Sequence, residues 1–367
     1  MRGDCTRSTA ATAQRLEFYQ IREARRWGRC RPVENRGRSA VNPVAFEAIE
    51  RAAQLLHDGA LIAFPTETVY GLGADARNAD AVRRLFAMKG RPADHPVIVH
   101  LAGADLLPRW ARETGASAEA LAEAFWPGPL TLILPRASTV LDVVTGGQDS
   151  VGLRVPAHPI AQALLARLLV LGSDGIAAPS ANRFGRISAT NARHVAEEFG
   201  NAIALVLDGG SSRHGIESTI VDLTTDEPVL LRPGAITVEA LRRVLGSAPR
   251  TPSSQSPRAS GTLALHYAPR TAARLVSPDE LARALSTSTR TAMNIAVLAR
   301  SIEKPTGFAG TWIRAPEKSA AYARDLYASL RTLDALGADE IWIEAPPPDD
   351  PDWAAVNDRL RKATYRQ

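Results

Sequence analysis

Apolar residues recur along this chain in two alternating patterns, windows with helical spacing and short unbroken runs. "AFEAIERAAQLLHDG" places Ile49, Ala52, Ala53 and Leu56 on one helical face and stops at Gly59. The run "ALIAF" follows at once. Further helical windows fall at residues 79–88, 117–125, 159–170, 191–199 and 238–245, and between them lie "PVIVH", "LTLIL", "GIAAP", "IALVL", "STIVDL" and "PVLLR". Helical windows that alternate with strand-like runs predict an α/β domain with a mixed sheet.

The pattern breaks at "GSAPRTPSSQSPRASG", residues 246–261, which is dense in proline, serine and glycine and has no apolar period, as in a linker. It resumes with "NIAVLA", "GTWI" and "EIWIEA" as strands and "SAAYARDLYASLRTLDALG" as a helix with Tyr322, Leu326, Leu330 and Leu333 on its apolar face. The expected organisation is therefore a basic extension over residues 1–41, a larger α/β domain over 42–245, a linker over 246–270 and a smaller α/β domain over 271–367.

Charge changes this picture at one end only. Residues 1–40 carry ten arginines against four acids, a balance of +6, whereas the whole chain has +5, so residues 41–367 sum to −1. A near-neutral body argues against a broad nucleic-acid footprint, which needs many clustered cations. The arginine-rich extension is expected to be a disordered, solvated tail or an over-long translation start, with an RNA-binding arm or a targeting segment as alternatives. Both cysteines, Cys5 and Cys30, lie in it, so disulfides and thiolate metal sites are excluded from the rest. With neither a membrane-length apolar run nor a secretory h-region, the expected location is cytoplasmic.

The candidate chemistry gathers at the ends of predicted strands. Neither a Gly-Lys-Ser/Thr phosphate loop nor a dinucleotide fingerprint is present, so a nucleotide site must be built another way. In "MKGRPADHPVIVH", Lys89 and Arg91 leave a helix and precede a strand that ends in His100. Lysine occurs only at 89, 304, 318 and 362 against forty arginines, which makes Lys89 a candidate phosphate contact; the alternative is a cation that favours a helix C-terminus. In "APSANRFGRISATNARHV", Ser180, Asn182, Arg183, Arg186 and Ser188 precede a helix, a setting that suits anion binding or a polar loop with Thr190 or Asn191 as N-cap. "FPTETVYGLGADA" adds Thr66 and Thr68, "WPGPLTLIL" Thr131, "GLRVP" Arg154, "GIESTIVDL" Ser218 and "LLRPGAI" Arg232. Cations and hydroxyls at so many strand ends suggest a pocket for a phosphate-bearing molecule and a small polar one. Scattered histidines without zinc spacing and the absence of a Gly-x-Ser-x-Gly elbow leave no support for a zinc or serine-hydrolase site.

Seven stretches in this order, "FPTETVYGLG", "KGRPADHPVIVH", "WPGPLTLIL", "GLRVP", "PSANRFGRIS", "GIESTIVD" and "LRPGAI", resemble the YrdC-like threonylcarbamoyl-AMP synthases, and "SGTLALHYAP" with the extra C-terminal domain resembles their long, two-domain form. The resemblance implies a YrdC-like domain with a twisted mixed sheet and a concave pocket, then a linker and a smaller Rossmann-like α/β domain. It also implies a nucleotidyltransferase reaction in which ATP, L-threonine and bicarbonate or CO2 give threonylcarbamoyl-AMP and pyrophosphate, the first step towards threonylcarbamoyladenosine in tRNA. Carried over by motif, Thr66, Thr68, His100, Arg154, the backbone of Ala178, and Ser218 would meet threonine. Lys89, Arg91, His95, Thr131, Ser180, Ser188, Arg232 and Tyr267 would meet ATP, with Lys89, Arg91, Ser180 and Asn182 as the catalytic set. Tyr267 would belong to a lid, and His95 stands where the family usually has an asparagine. Mg2+ is implied with ATP, without a tightly bound protein-ligated metal. The implied partners are downstream tRNA threonylcarbamoyl-transfer proteins; direct tRNA binding stays open, and a nonenzymatic RNA-binding module of the same fold is the alternative.

Overall fold

Helix boundaries follow local signals. The helix Ala79–Lys89 begins where Asn78 accepts the Ala81 N–H and ends at Gly90, which takes a φ of 64° that favours glycine. Asn191 caps Ala192–Phe199 in the same way, by accepting the His194 N–H.

In the computed structural model, which describes residues 18–20, 43–263, 266–287 and 294–365, these helices pack on two sheets. Among the described residues the first sheet runs in the order Phe18–Gln20, Leu205–Asp208, Ile62–Phe64, Gly71–Asp75, Ile176–Ala177, Ile98–His100, Ser150–Arg154, Leu130–Pro135, Thr219–Asp222 and Val229–Arg232. Some neighbouring strands are parallel and others antiparallel, so the sheet is mixed as expected. Apart from Phe18–Gln20, which pairs parallel with Leu205–Asp208, the basic extension at residues 1–41 lies outside the described residues.

Because side chains alternate across a strand, Ile62 and Phe64 join a core with the helices Pro43–His57 and Pro159–Val170, while Ala63 joins the larger core with the helix Ala79–Lys89. The same alternation places His100 and Arg154, which are paired in register, on a face with Ile98 and Gly152. Ile98, Ile133, Ile220 and Leu231 form a small apolar floor there, covered by Ala259 of the linker.

The strand Gly71–Asp75 was not foreseen, since glycine weakens strand propensity. It lies inside the sheet because it must be thin. A Cβ at Gly71 would come within 3.2 Å of the Phe64 ring and 3.3 Å of the Ala178 Cβ; at Gly73 it would meet Ile176 at 3.0 Å.

The second sheet is parallel, in the order Ala272–Val276, Glu340–Glu344, Ile295–Ala299 and Thr311–Arg314. The helix Ser319–Asp334 buries Tyr322, Leu326, Leu330 and Leu333, the face its spacing predicts. At the end of its strand, Glu344 is fully buried and accepts the N–H groups of Arg300, Ser301 and Ile302 and the Ser301 hydroxyl. One apolar cluster joins Val69, Ile187 and Ile216 of the first domain and Tyr267 of the linker to Leu326, Tyr327 and Leu330 of the second. Among the described residues no helix is long and apolar enough to cross a membrane.

Candidate active site

The turn after Ile62–Phe64 is shaped by its own threonines. Thr66 Oγ1 donates to the Val69 carbonyl at 2.6 Å, accepts the Val69 N–H, and lies 2.8 Å from Thr68 Oγ1. Thr66 thus fixes the turn, and Thr68 is presented by it. Arg154 reaches the same hydroxyl through Nη1 at 2.9 Å and pairs with Glu67 through Nη2 at 2.6 Å. Burial would raise the Glu67 carboxyl, but the Arg154 guanidinium and the Ala157 N–H outweigh it and hold the group below its ordinary value.

His100 stands beside Arg154, fully enclosed. Burial, helped by the Arg154 charge, pushes its pKa down to about 3, so at neutral pH it is an uncharged hydrogen-bonding group. Its Nδ1 is buried and has no hydrogen-bond partner among the described residues, as is true of Arg91 Nε, Asn182 Oδ1, His266 Nδ1 and the Tyr267 hydroxyl. Buried polar atoms ordinarily have partners. Four of the ten such atoms among the described residues, those of Arg91, His100, His266 and Tyr267, belong to residues lining a single pocket, which marks it as a place where a polar ligand completes the bonding.

At the pocket's other end, Arg232 binds the Ser218 carbonyl through Nε and Nη2, at 3.1 and 2.9 Å, and the Ser218 hydroxyl at 3.1 Å. Thr131 Oγ1 is 2.8 Å from that hydroxyl. Arg91 donates to the Pro96 carbonyl at 2.6 Å, and burial brings its pKa down to about 10, which leaves it charged at neutral pH. Both arginines also hold the linker: Arg91 donates to Ser260 Oγ at 3.2 Å and Arg232 to the Ser260 carbonyl at 2.8 Å. Gly261 follows at a φ of 77°, where a Cβ would fall 2.3 Å from the Tyr267 hydroxyl. Tyr267 itself takes a φ of 63°, an uncommon conformation for a non-glycine residue. The linker is therefore no free spacer but a strap across the site. The cavity beneath it is about 40 Å3, against roughly 300–1,000 Å3 for a pocket around a drug-sized ligand. With the strap in this position the cavity is too small for a nucleotide.

Of the residues singled out from the sequence, Thr66, Thr68, Arg91, His100, Arg154, Ala178, Ser180, Ser218, Arg232 and Tyr267 line this pocket. The remaining ones stand behind it. Lys89 Nζ donates to the carbonyls of Ser180, at 2.6 Å, and Asn182, which ties down the loop that carries both; its burial and the nearby Arg91 lower its pKa well below the ordinary value. Asn182 Nδ2 closes that loop on the Arg183 and Arg186 carbonyls. Thr131 supports Ser218, and Ser188 donates to Glu217 Oε1 at 2.6 Å. The His95 ring packs edge-on against Phe184 at 5.6 Å, and Phe184 against His266 at 6.1 Å.

Sequence reasoning missed Glu217, Ser260, His266, Tyr327 and Arg359. Glu217 stood within a quoted motif, next to Ser218. Its second oxygen accepts from Tyr327 Oη at 3.0 Å and Arg359 Nε at 2.8 Å, both from the second domain.

Residues 54–234 match the family model for Sua5, YciO and YrdC proteins, described as telomere recombination, and residues 236–364 match the one described as threonylcarbamoyl-AMP synthase, C-terminal domain. A threonylcarbamoyl-AMP synthase of Pyrococcus abyssi is 41% identical over 87% of this chain and 94% of its own length. The Bacillus subtilis relative of that name is 38% identical over 86% of this chain and 92% of its own length. Among solved structures, P. abyssi Sua5 complexed with L-threonine superposes with a TM-score of 0.79 at 40% identity, covering 86% of this chain and 94% of that one.

Proposed function

Because this chain belongs to the threonylcarbamoyl-AMP synthase family, we propose that it is a nucleotidyltransferase that makes L-threonylcarbamoyl-AMP and pyrophosphate from ATP, L-threonine and bicarbonate or CO2. The observation that carries the reading is the convergence of three arginines, Arg91, Arg154 and Arg232, with the Thr68, Ser180 and Ser218 side chains and the uncharged His100 on one buried pocket. Such a set suits anions that must be positioned and neutralised.

In this reading the Arg154 end takes threonine, whose carboxylate suits the guanidinium and the Thr68 hydroxyl. The threonine nitrogen attacks the carbon of CO2 and loses a proton, which gives a carbamate. A carbamate oxygen then attacks the α-phosphorus of ATP, the bond to the β-phosphate oxygen breaks, and pyrophosphate leaves. Little of this requires a strong protein base. Positioning and stabilisation of developing negative charge supply most of the acceleration in such transfers.

Arg91 and Arg232 sit where they can meet phosphate oxygens, because their Ser260 partners are themselves oxygens that a phosphate can replace once the strap lifts. Tyr267 then acts as part of a lid. Lys89 and Asn182 shape the Ser180 loop, and Thr131 and Ser188 support the wall. Mg2+ bound to the triphosphate would partly neutralise its charge. Glu217, the carboxylate lining the pocket, is already engaged by Ser188, Tyr327 and Arg359, so the protein set fits an ion carried by the nucleotide. A cytoplasmic location and delivery of the product to tRNA threonylcarbamoyl-transfer proteins belong to the same proposal.

The test is pyrophosphate release by the purified chain with ATP, omitting threonine or bicarbonate in turn. Release that requires both is the expected result. Release that ignores threonine would overturn the reading.

A further inference from the structure

Glu217 presents a difficulty for a pocket that takes a polyanion. It lines the cavity, it is buried, and it lies on the side where Arg91 and Arg232 converge. A bare carboxylate there would repel phosphate oxygens across a low-dielectric gap. Something must cancel its charge without occupying the ligand's place.

The cancelling cation comes from behind. Arg359, in the helix Ala354–Ala363 of the second domain, is fully buried. Its Nε donates to Glu217 Oε2 at 2.8 Å, its Nη1 donates to the Pro233 carbonyl at 3.0 Å and to Asp358 at 2.6 Å, and its guanidinium carbon lies 5.3 Å from the centre of the Tyr267 ring. Pro233 directly follows Arg232. One guanidinium thus touches the carboxylate, the backbone beside a pocket arginine, and the lid tyrosine. The other Glu217 oxygen accepts from Ser188. Burial would raise the Glu217 carboxyl, but Arg359 and Arg232 hold it at about 2, so it is ionised and orients the Ser188 hydroxyl as an acceptor would.

We propose that Arg359 is a positioning residue of the nucleotide end: it neutralises Glu217 from the second domain, and so keeps Ser188 and the Arg232 wall in a state that tolerates a triphosphate. The inference rests on the adenylate-forming reading. It also gives the second domain a task in the chemistry of the first, through one buried charge pair.

The experiment is a charge-pair cycle on the full chain, using Arg359→Met, Glu217→Gln and the double variant. Each is checked for folding by circular dichroism and assayed for KM of ATP and of threonine separately. Binding of the analogue α,β-methylene-ATP is measured by calorimetry. Arg359→Met is expected to weaken ATP by about 10- to 150-fold, the scale of a lost charge-assisted contact, with the threonine KM nearly unchanged. In the double variant position 217 carries no charge and Asp358 keeps its pairing with Lys362 at 2.8 Å, so most of the ATP affinity is expected to recover. Wild-type ATP affinity in folded Arg359→Met, an equal loss for both substrates, or no recovery in the double variant would overturn the proposal. If Arg359→Met does not fold, Tyr327→Phe, which removes only a hydroxyl from the same carboxylate, decides. A rise of about 2- to 10-fold in the ATP KM alone supports the inference, and an unchanged value overturns it. Failure of the wild-type chain to bind the analogue would instead count against the adenylate reading itself.

Discussion

At the Thr68 end of the pocket, Thr66, Thr68, Glu67 and Arg154 hold one another within the first domain, whereas at the Arg232 end the side chains are held by the strap and by a helix of the second domain. The first arrangement is complete once one domain has folded. The second needs three separate segments to meet, and two of its arginines are bound to Ser260 oxygens of the strap. One end is self-contained, and the arrangement of the other depends on the position of the strap.

The strongest way to break the first arrangement is Arg154→Met, which leaves Glu67 buried without its cation. Loss of one member of a buried ion pair costs about 3–5 kcal/mol, so the urea midpoint is expected to fall sharply. A loss of less than about 1 kcal/mol would place the pair in the range of exposed ion pairs. Arg232→Ala attacks the other end, where a lost charge-assisted contact of roughly 1.5–3 kcal/mol lowers kcat/KM for ATP by about 10- to 150-fold. Steady-state kinetics with ATP varied would check it, and equal effects on threonine would erase the contrast between the ends.

Acid sharpens the comparison by touching both ends. His100 and His266 are each pushed down to about 3 by burial, one at each end. Their ordinary value is 6.5, so the unfolded chain takes up protons first as pH falls. Stability is present above pH 6.5 and is lost progressively towards pH 3, at up to about 1.4 kcal/mol per pH unit for each group. His100→Gln and His266→Gln are each expected to flatten that slope in denaturation curves measured from neutral pH down to about pH 4. The smallest effect is expected from Tyr267→Phe. Its hydroxyl has no hydrogen-bond partner among the described residues, and its ring stacks on Tyr327 at 5.5 Å. Stability should therefore change by less than about 1 kcal/mol, while a rise in the ATP KM would show the hydroxyl at work on the nucleotide.

The two ends also differ in how far the sequence reveals them. Thr66, Thr68 and Glu67 are neighbours in one quoted stretch, and Arg154 closes a strand whose partner ends in His100, so motif and strand period together indicate their meeting. Arg359 lies 142 residues from Glu217 and on a helix whose spacing says only that one face is buried. No local pattern shows that a buried arginine there answers a glutamate elsewhere. Lys89 illustrates a different limit. Lysine is rare in this chain, but composition does not distinguish a cation aimed at a ligand from one aimed at the Ser180 and Asn182 carbonyls. The strand Gly71–Asp75 was hidden for a steric reason, because the close approach of Phe64 and Ile176 favours the residue type that strand propensity penalises.

Parallel α/β folds commonly receive anionic ligands at the carboxyl ends of their strands, where free N–H groups gather. In the second domain that place has a permanent tenant, since the Glu344 carboxylate takes the N–H groups of Arg300, Ser301 and Ile302. The domain therefore touches the pocket of the first through its flank rather than its crevice, by way of Tyr327 and Arg359, as a buttress whose own doorway is shut.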